Sequence, residues 1–284
     1  MKLYRTRRGI VVEHAPTDGP SLFYRAPSDD WDYLVNQDNL YHFLQQEVPS
    51  TPFSEEYGQW IQNELLAPIS QQEIWASGVT YMRSRNARME ESKDAGGGDF
   101  YERVYDAERP ELFFKSTAQR AVGPGDKVRI RKDSTWNVPE PELTLFITSG
   151  GKIVGYTIGN DMSSRSIEGE NPLYLPQAKT YDGSAAIGPC LYVPQKPINP
   201  DTTIRLQIQR GKQTMFDENI AINRMKRQHD ELVSFLFKEM TFPYGCYLMT
   251  GTGIVPPDSF TLQKGDEVSI SIEGIGTLTN TVTT

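Results

Sequence analysis

Glu140 and Glu142 stand two residues apart in Val138-Pro-Glu-Pro-Glu-Leu143, and Gly159-Asn-Asp161 follows downstream. Along an extended segment side chains alternate faces, so both glutamates leave the same face, roughly 6.6–6.8 Å apart at the backbone. Carboxylates this close repel each other unless a cation sits between them. A hard divalent ion resolves the conflict. Mg²⁺, or alternatively Mn²⁺ or Ca²⁺, takes oxygen ligands and keeps waters that a substrate can displace. The competing reading is a solvated strand end carrying surface acids. Pro139 and Pro141 cannot donate to a sheet ladder, which predicts an edge or a mouth at this end of the strand.

The sequence also predicts how Asp161 joins the pair. Glu142–Ile147 and Ile153–Ile158 read as two strands of a hairpin around Gly150-Gly151, a favoured two-residue turn. Counting outward from that turn pairs Ile147 with Val154, Leu145 with Tyr156 and Leu143 with Ile158 on an apolar face. The other face then pairs Thr144 with Thr157, Glu142 with Gly159 and Glu140 with Asp161. Glu140, Glu142 and Asp161 are therefore the predicted metal ligands.

Composition narrows the alternatives. A net charge of −8 in 284 residues argues against nucleic acid or an anionic membrane surface as partner. Lys127, Arg129 and Arg131 alternate along a strand, but Asp126 and Asp133 flank them, as on a solvated face. Cys190 and Cys246 are too few for a disulfide framework or a zinc cluster. His14, His42 and His229 are remote in sequence from the acids, so a histidine-rich zinc site is not expected. No Gly-x-Ser-x-Gly, Walker-type or dinucleotide-binding glycine motif is present. No apolar run is long enough to span a membrane, and the N-terminus lacks a signal-type apolar stretch. The expectation is a soluble cytoplasmic protein with a small-molecule substrate.

The elements that must position the acids divide into two predicted units. Residues 1–70 read as a small α+β domain, with strands over Lys2–Tyr4 and Gly9–Glu13 and helical periodicity over Asp30–Gln46 and Glu55–Leu66. Residues 71–284 read as the catalytic domain and mostly as β. Its expected elements are a strand over Trp75–Thr80, a charged helix over Tyr81–Lys93, strands over Leu112–Lys115, Lys127–Arg131, Ile187–Val193 and Ile204–Gln209, a helix over Ile222–Phe237, and a strand over Glu267–Ile272. Asp94-Ala-Gly-Gly-Gly-Asp99 fits either a lid hinge or a surface loop. The predicted class is α+β, mostly β, with a mixed β-roll or barrel-like catalytic part.

Taken together, Phe114-Lys-Ser, Pro139-Glu-Pro-Glu-Leu143, Gly155-Tyr-Thr-Ile-Gly-Asn-Asp-Met-Ser-Ser-Arg165, Lys179, Gly188-Pro, Thr250-Gly-Thr252 and Gly265-Asp-Glu-Val268 resemble the fumarylacetoacetate hydrolase family. The resemblance implies a rolled mixed-β domain, a divalent metal held by Glu140, Glu142 and Asp161, and a homodimer or dimer-based oligomer. It implies catalytic roles for Arg165 and Lys179 and substrate contacts for Tyr81, Ser84, Lys115 and Thr252, the last at the substrate's carboxylate end. Val104–Ser116 and Glu170–Tyr181 are similar to the branch of the family that dehydrates 2-keto-3-deoxy sugar acids, which adds Glu111 as an acid or base.

One departure bears on the reaction. Hydrolases of this family carry Tyr-x-x-His, and here the segment is Tyr81-Met-Arg-Ser84. The histidine that activates water is missing. The expected reaction is therefore dehydration of a 2-keto-3-deoxy sugar acid through a metal-stabilised enolate. The alternatives are hydrolysis or decarboxylation of an acylpyruvate-like diketo acid, and a non-catalytic ligand-binding homologue.

Overall fold

A computed structural model of the chain describes residues 1–15, 19–91 and 98–284. The glycine run expected as a hinge or loop lies largely outside the described residues. Two mixed sheets dominate. The larger one runs in the order Leu22–Arg25, Gly9–His14, Lys2–Thr6, Ala185–Tyr192, Ile153–Asp161, Pro141–Ile147, Cys246–Met249, Glu73–Gly78 and Glu111–Thr117, with the short Ala121–Val122 strand beside Ala185–Tyr192. The second, five-stranded sheet is Gln213–Ala221, Thr203–Arg210, Glu267–Ile272, Gly276–Thr283 and Lys127–Arg129. This is a mostly-sheet α+β architecture of mixed sheets that do not close. No helix among the described residues is long and apolar enough to cross a membrane.

Alternation along the strands explains the layering. Leu143, Leu145, Ile147 and Ile158 point to one side and pack with Ile204, Leu206, Val268 and Ile270 of the second sheet. Phe146, Ile74, Ala76 and Met249 point to the other side and pack with Leu3, Ile10, Leu34 and Leu44. The Pro141–Ile147 strand is thus buried on both faces; Thr144–Ile147 pair on both sides, whereas Pro141 and Glu142 pair only with the Ile153–Asp161 strand, so the other side is unpaired at the proline end. Pro141 is tolerated because it is the first residue of the strand, where a missing N–H costs least. The strand's beginning is a mouth, and the acids sit there.

The first seventy residues extend the larger sheet, since Lys2 and Leu3 pair with Tyr192 and Leu191. Their periodicity hid two features. The helix expected over Asp30–Gln46 is broken into Trp31–Val35 and Leu40–Glu47, and Leu22–Arg25 is an additional strand. Further along, the helix expected over Ile222–Phe237 is shortened to His229–Leu236, where Gln228 and Glu231 form a capping box. Gly98–Asp106 and Arg165–Glu170 are helices that periodicity did not single out.

The hairpin differs from its prediction in an instructive way. Thr148 N donates to Lys152 O, and Ile147 pairs with Ile153 rather than Val154. The loop therefore holds three residues, Ser149 to Gly151, and only Gly151 has positive φ, at 74°. Three-residue hairpin loops place a left-handed residue at this last position. A bulge between Ile153 and Gly155 then restores the pairing, so that Tyr156 faces Leu145, Ile158 faces Leu143 and Gly159 faces Glu142 as expected.

Candidate active site

The hairpin delivers the three acids to one place. Asp161 N donates to Glu140 O at 3.0 Å, which fixes the two residues opposite each other just beyond the last ladder pair. One carboxylate oxygen from each of Glu140, Glu142 and Asp161 lies within 4.8 Å of the others, and all three residues are buried. Glu142 Oε2 also accepts from Gly251 N at 2.5 Å, because Thr250-Gly-Thr252 leaves the end of the neighbouring Cys246–Met249 strand. Burial, reinforced by the Asp161 and Glu140 carboxylates, pushes the Glu142 carboxyl well above its ordinary range. Three buried, mutually repelling oxygen donors are a set that a hard dication satisfies, so these residues fit Mg²⁺, Mn²⁺ or Ca²⁺.

Two buried lysines flank the acids. Lys179 Nζ donates to Glu140 Oε2 at 2.6 Å, Asp161 Oδ2 at 2.9 Å and Ser163 Oγ at 2.5 Å, which accounts for all three of its protons. Lys115 Nζ donates to Met162 O at 2.9 Å and to Lys179 O, and it pairs with Asp161 Oδ1. Lys115 therefore ties the backbone carrying Lys179 to the strand carrying Asp161. Burial raises the Asp161 carboxyl, but the two ammonium groups outweigh it and hold Asp161 below its ordinary value. Burial lowers the Lys115 ammonium, with Asp161 opposing that shift.

Guanidinium groups form the opposite wall. Arg165, the first residue of the Arg165–Glu170 helix, donates from Nη1 to Glu140 Oε1 at 2.8 Å. Arg88, on the Met82–Glu91 helix, is ion-paired with Glu168. Glu111, the first residue of its strand, pairs with Gly78 across the ladder. Its Oε2 is buried without a hydrogen-bond partner among the described residues. Burial raises the Glu111 carboxyl, against the pull of Arg88 and Lys179.

The pocket between these groups is lined by Ser84, Arg88, Glu140, Glu142, Asp161, Arg165, Lys179 and Thr252, with Gly78 and Phe113 beside them. Of the residues expected at the substrate, Ser84 and Thr252 reach this wall, whereas Tyr81 and Lys115 lie buried behind it. Ser84 Oγ bonds Tyr81 O at 2.8 Å and Tyr81 N at 3.3 Å, closing the first turn of its own helix. The Thr252 hydroxyl is likewise engaged with Ile254 O and N, both at 3.1 Å. Arg88 and Ser163 were not anticipated. Ser163 stands in the Asp-Met-Ser-Ser-Arg run, two residues past Asp161 and therefore on its face, a spacing that was available in the sequence. Arg88 had no comparable signal.

Residues 74–283 match the family model described as fumarylacetoacetate (FAA) hydrolase C-terminal. The chain is 38% identical over 283 residues to 2-dehydro-3-deoxy-D-arabinonate dehydratase of Saccharolobus solfataricus, covering 98% of this chain and 95% of that protein. It is 50% identical over 226 residues to a probable 2-keto-3-deoxyxylonate dehydratase of Haloferax volcanii, covering 79% and 77% of the two chains. A solved structure of 2-keto-3-deoxy-D-arabinonate dehydratase complexed with magnesium and 2,5-dioxopentanoate superposes with a TM-score of 0.83 at 34% identity, covering 99% of this chain and 98% of that one. The chain belongs to the fumarylacetoacetate hydrolase family.

Proposed function

We propose that this protein is a divalent-metal-dependent hydro-lyase that removes water from a 2-keto-3-deoxy sugar acid. The observation that carries this reading is the buried carboxylate triad with Lys179 bonded into it and the Glu111 carboxyl beside it. The full-length likeness to a dehydratase solved with magnesium and a small keto acid supports it. Glu140, Glu142 and Asp161 would hold Mg²⁺, or alternatively Mn²⁺ or Ca²⁺. Such an ion supplies Lewis acidity toward the 2-keto oxygen of the substrate, acidifying C3.

The protein's own groups then handle the protons. Glu111 takes a proton from C3, the electron pair becomes the C3–C4 double bond, and the C4–O bond breaks. The departing hydroxide leaves as water with the proton that Glu111 carried. A carboxyl that burial raises above its ordinary value is suited to both transfers. Lys179, with its three protons committed, acts as a fixed cation that keeps Glu140 and Asp161 in place. Arg165 fixes Glu140 from the other side. Thr252 bounds the pocket at the carboxylate end.

The hydrolase alternative needs a base that activates water. No histidine lines the pocket, and Ser84, at the position where one was expected, is engaged with its own helix. Residues 71–284 supply every side chain of the site, and residues 1–70 support the sheet. Buried free thiols at Cys190 and Cys246 fit a reducing cytoplasm. We read the protein as a homodimer, on the family resemblance and on Leu173, which is 83% exposed. The test is a panel of 2-keto-3-deoxypentonates incubated with protein and Mg²⁺. Loss of water that stops with EDTA is expected. No turnover across the panel overturns the reading, and release of CO₂ or a second carboxylic acid assigns the alternative.

A further inference from the structure

One buried ion pair in the site is not explained by the metal, by Glu111 or by Lys179. The Arg88 side chain is only 4% exposed and the Glu168 side chain 1%, and the two are ion-paired. Arg88 lines the pocket, whereas Glu168 stands behind it. Arg88 Nη2 lies 3.9 Å from Glu140 Oε1, too far for a hydrogen bond, while Arg165 Nη1 donates to that same oxygen at 2.8 Å.

The helix that carries Arg88 buries Ser84, Ala87 and Arg88, one face by the spacing of three and four residues. That face itself offers little apolar area; the helix packs through Met89 against Val79, Tyr101 and Tyr105, a contact that calls for no buried guanidinium. A buried ion pair is also a poor source of stability compared with apolar residues of the same size. What the pair does provide is a guanidinium fork of fixed orientation at the pocket wall. Such a fork matches the planar, two-oxygen geometry of a carboxylate. Arg165, the other guanidinium at the pocket, holds Glu140.

We propose that Arg88 binds the carboxylate of the 2-keto acid, and that Glu168 is the positioning residue that aims it. The assignment rests on the proposed function only in taking the ligand to be a small 2-keto acid. Arg88 thereby ties ligand binding to the Met82–Glu91 helix, and Glu168 ties that helix to the Arg165–Glu170 helix beside the metal ligands.

Pyruvate is the probe, because it has the carboxylate and keto oxygens but no C4 hydroxyl to lose. It is titrated calorimetrically into the Mg²⁺-loaded wild type, Arg88→Met, Arg88→Lys, Glu168→Gln and the Arg88→Met/Glu168→Gln double variant. Arg88→Met is expected to weaken pyruvate by about tenfold or more, the range for a lost charge-assisted hydrogen bond. Glu168→Gln should act in the same direction, and the double variant should bind no worse than Arg88→Met alone, because Glu168 works through Arg88. Arg88→Lys should recover part of the loss, which also covers the case in which Arg88→Met does not fold. Mg²⁺ affinity, measured separately, should not fall, since no metal ligand is replaced and the charge removed is a cation 3.9 Å from Glu140. Unchanged pyruvate affinity in Arg88→Met, a full additive loss in the double variant, or no pyruvate binding to the wild type overturns the assignment. If the wild type dehydrates no sugar acid while these affinities shift as stated, the dehydratase reading falls and the Arg88 assignment stands. If it does dehydrate and Arg88→Met leaves KM unchanged, the reverse holds.

Discussion

The carboxyl group of Glu111 occupies the space that a side chain on Gly78 would fill: a Cβ built on Gly78 lies 1.9 Å from Glu111 Oε2. The two residues face each other across the ladder between Glu73–Gly78 and Glu111–Thr117, so the first carries no side chain where the second must lie flat. Gly78→Ala tests the position of the acid without removing it. The clash falls on the flexible end of a glutamate, so the fold should survive while the carboxyl moves. Turnover should drop by at least about tenfold, as expected for a displaced proton-transfer group, with Mg²⁺ affinity unchanged. Steady-state kinetics beside metal titration would reveal the pattern; full activity in Gly78→Ala removes Glu111 from the proton path.

Glu142→Gln separates the metal role from the structural one. Glu142 is the acid whose carboxyl is pushed up most clearly by burial and by its two acidic neighbours. Neutralising it removes both repulsion and a ligand. The metal-free variant should melt no lower than the wild type, while its Mg²⁺ affinity falls by more than about 100-fold, beyond the range for losing an outer-shell partner. Retained affinity in calorimetry would take Glu142 out of the metal set.

How much of this was legible depends on where each signal sat. The triad was readable because its register is local: apolar matching between Leu143 and Ile158 and between Leu145 and Tyr156 fixes which residues oppose the acids. The turn itself was misread, since Gly150-Gly151 suits a two-residue loop, and a one-residue bulge cancelled the error. Arg88 and Glu168 were not legible as a pair. Nothing local marks two charges eighty residues apart as partners, and a helix rich in Arg and Glu looks like a solvated one. Lys115 was given a ligand-contacting role through its motif, while its three contacts can be seen only once Met162, Asp161 and the Lys179 backbone are placed around it.

Lys115→Met distinguishes those two roles. The ammonium group is fully buried, bonded to two carbonyls and paired with Asp161. Removing it leaves a buried carboxylate without one of its cations, a change that costs about 3–5 kcal/mol when a buried ion pair is broken. Denaturant unfolding should show a loss of that size in the metal-free protein. Mg²⁺ should recover part of it by supplying positive charge to Asp161. A variant with normal stability and only a raised KM would return Lys115 to the substrate.

The pH dependence of turnover follows from Glu111. Burial raises its carboxyl above the ordinary value, with Arg88 and Lys179 opposing that shift only in part. A group whose folded pKa is raised contributes stability that is present below its unfolded pKa, about 4.3, and is lost as pH rises through the folded pKa. Glu111 therefore weakens the fold slightly at the pH where it becomes the base that C3 requires. The acid limb of kcat/KM for the Mg²⁺-loaded enzyme should lie above the ordinary carboxylate range, and activity should rise as Glu111 ionises. Removing Arg88 takes away the larger of the two opposing cations, so the limb in Arg88→Met should move further toward high pH. An acid limb near 4.3, or one that stays in place in Arg88→Met, would show that the proton acceptor is a different and more exposed group.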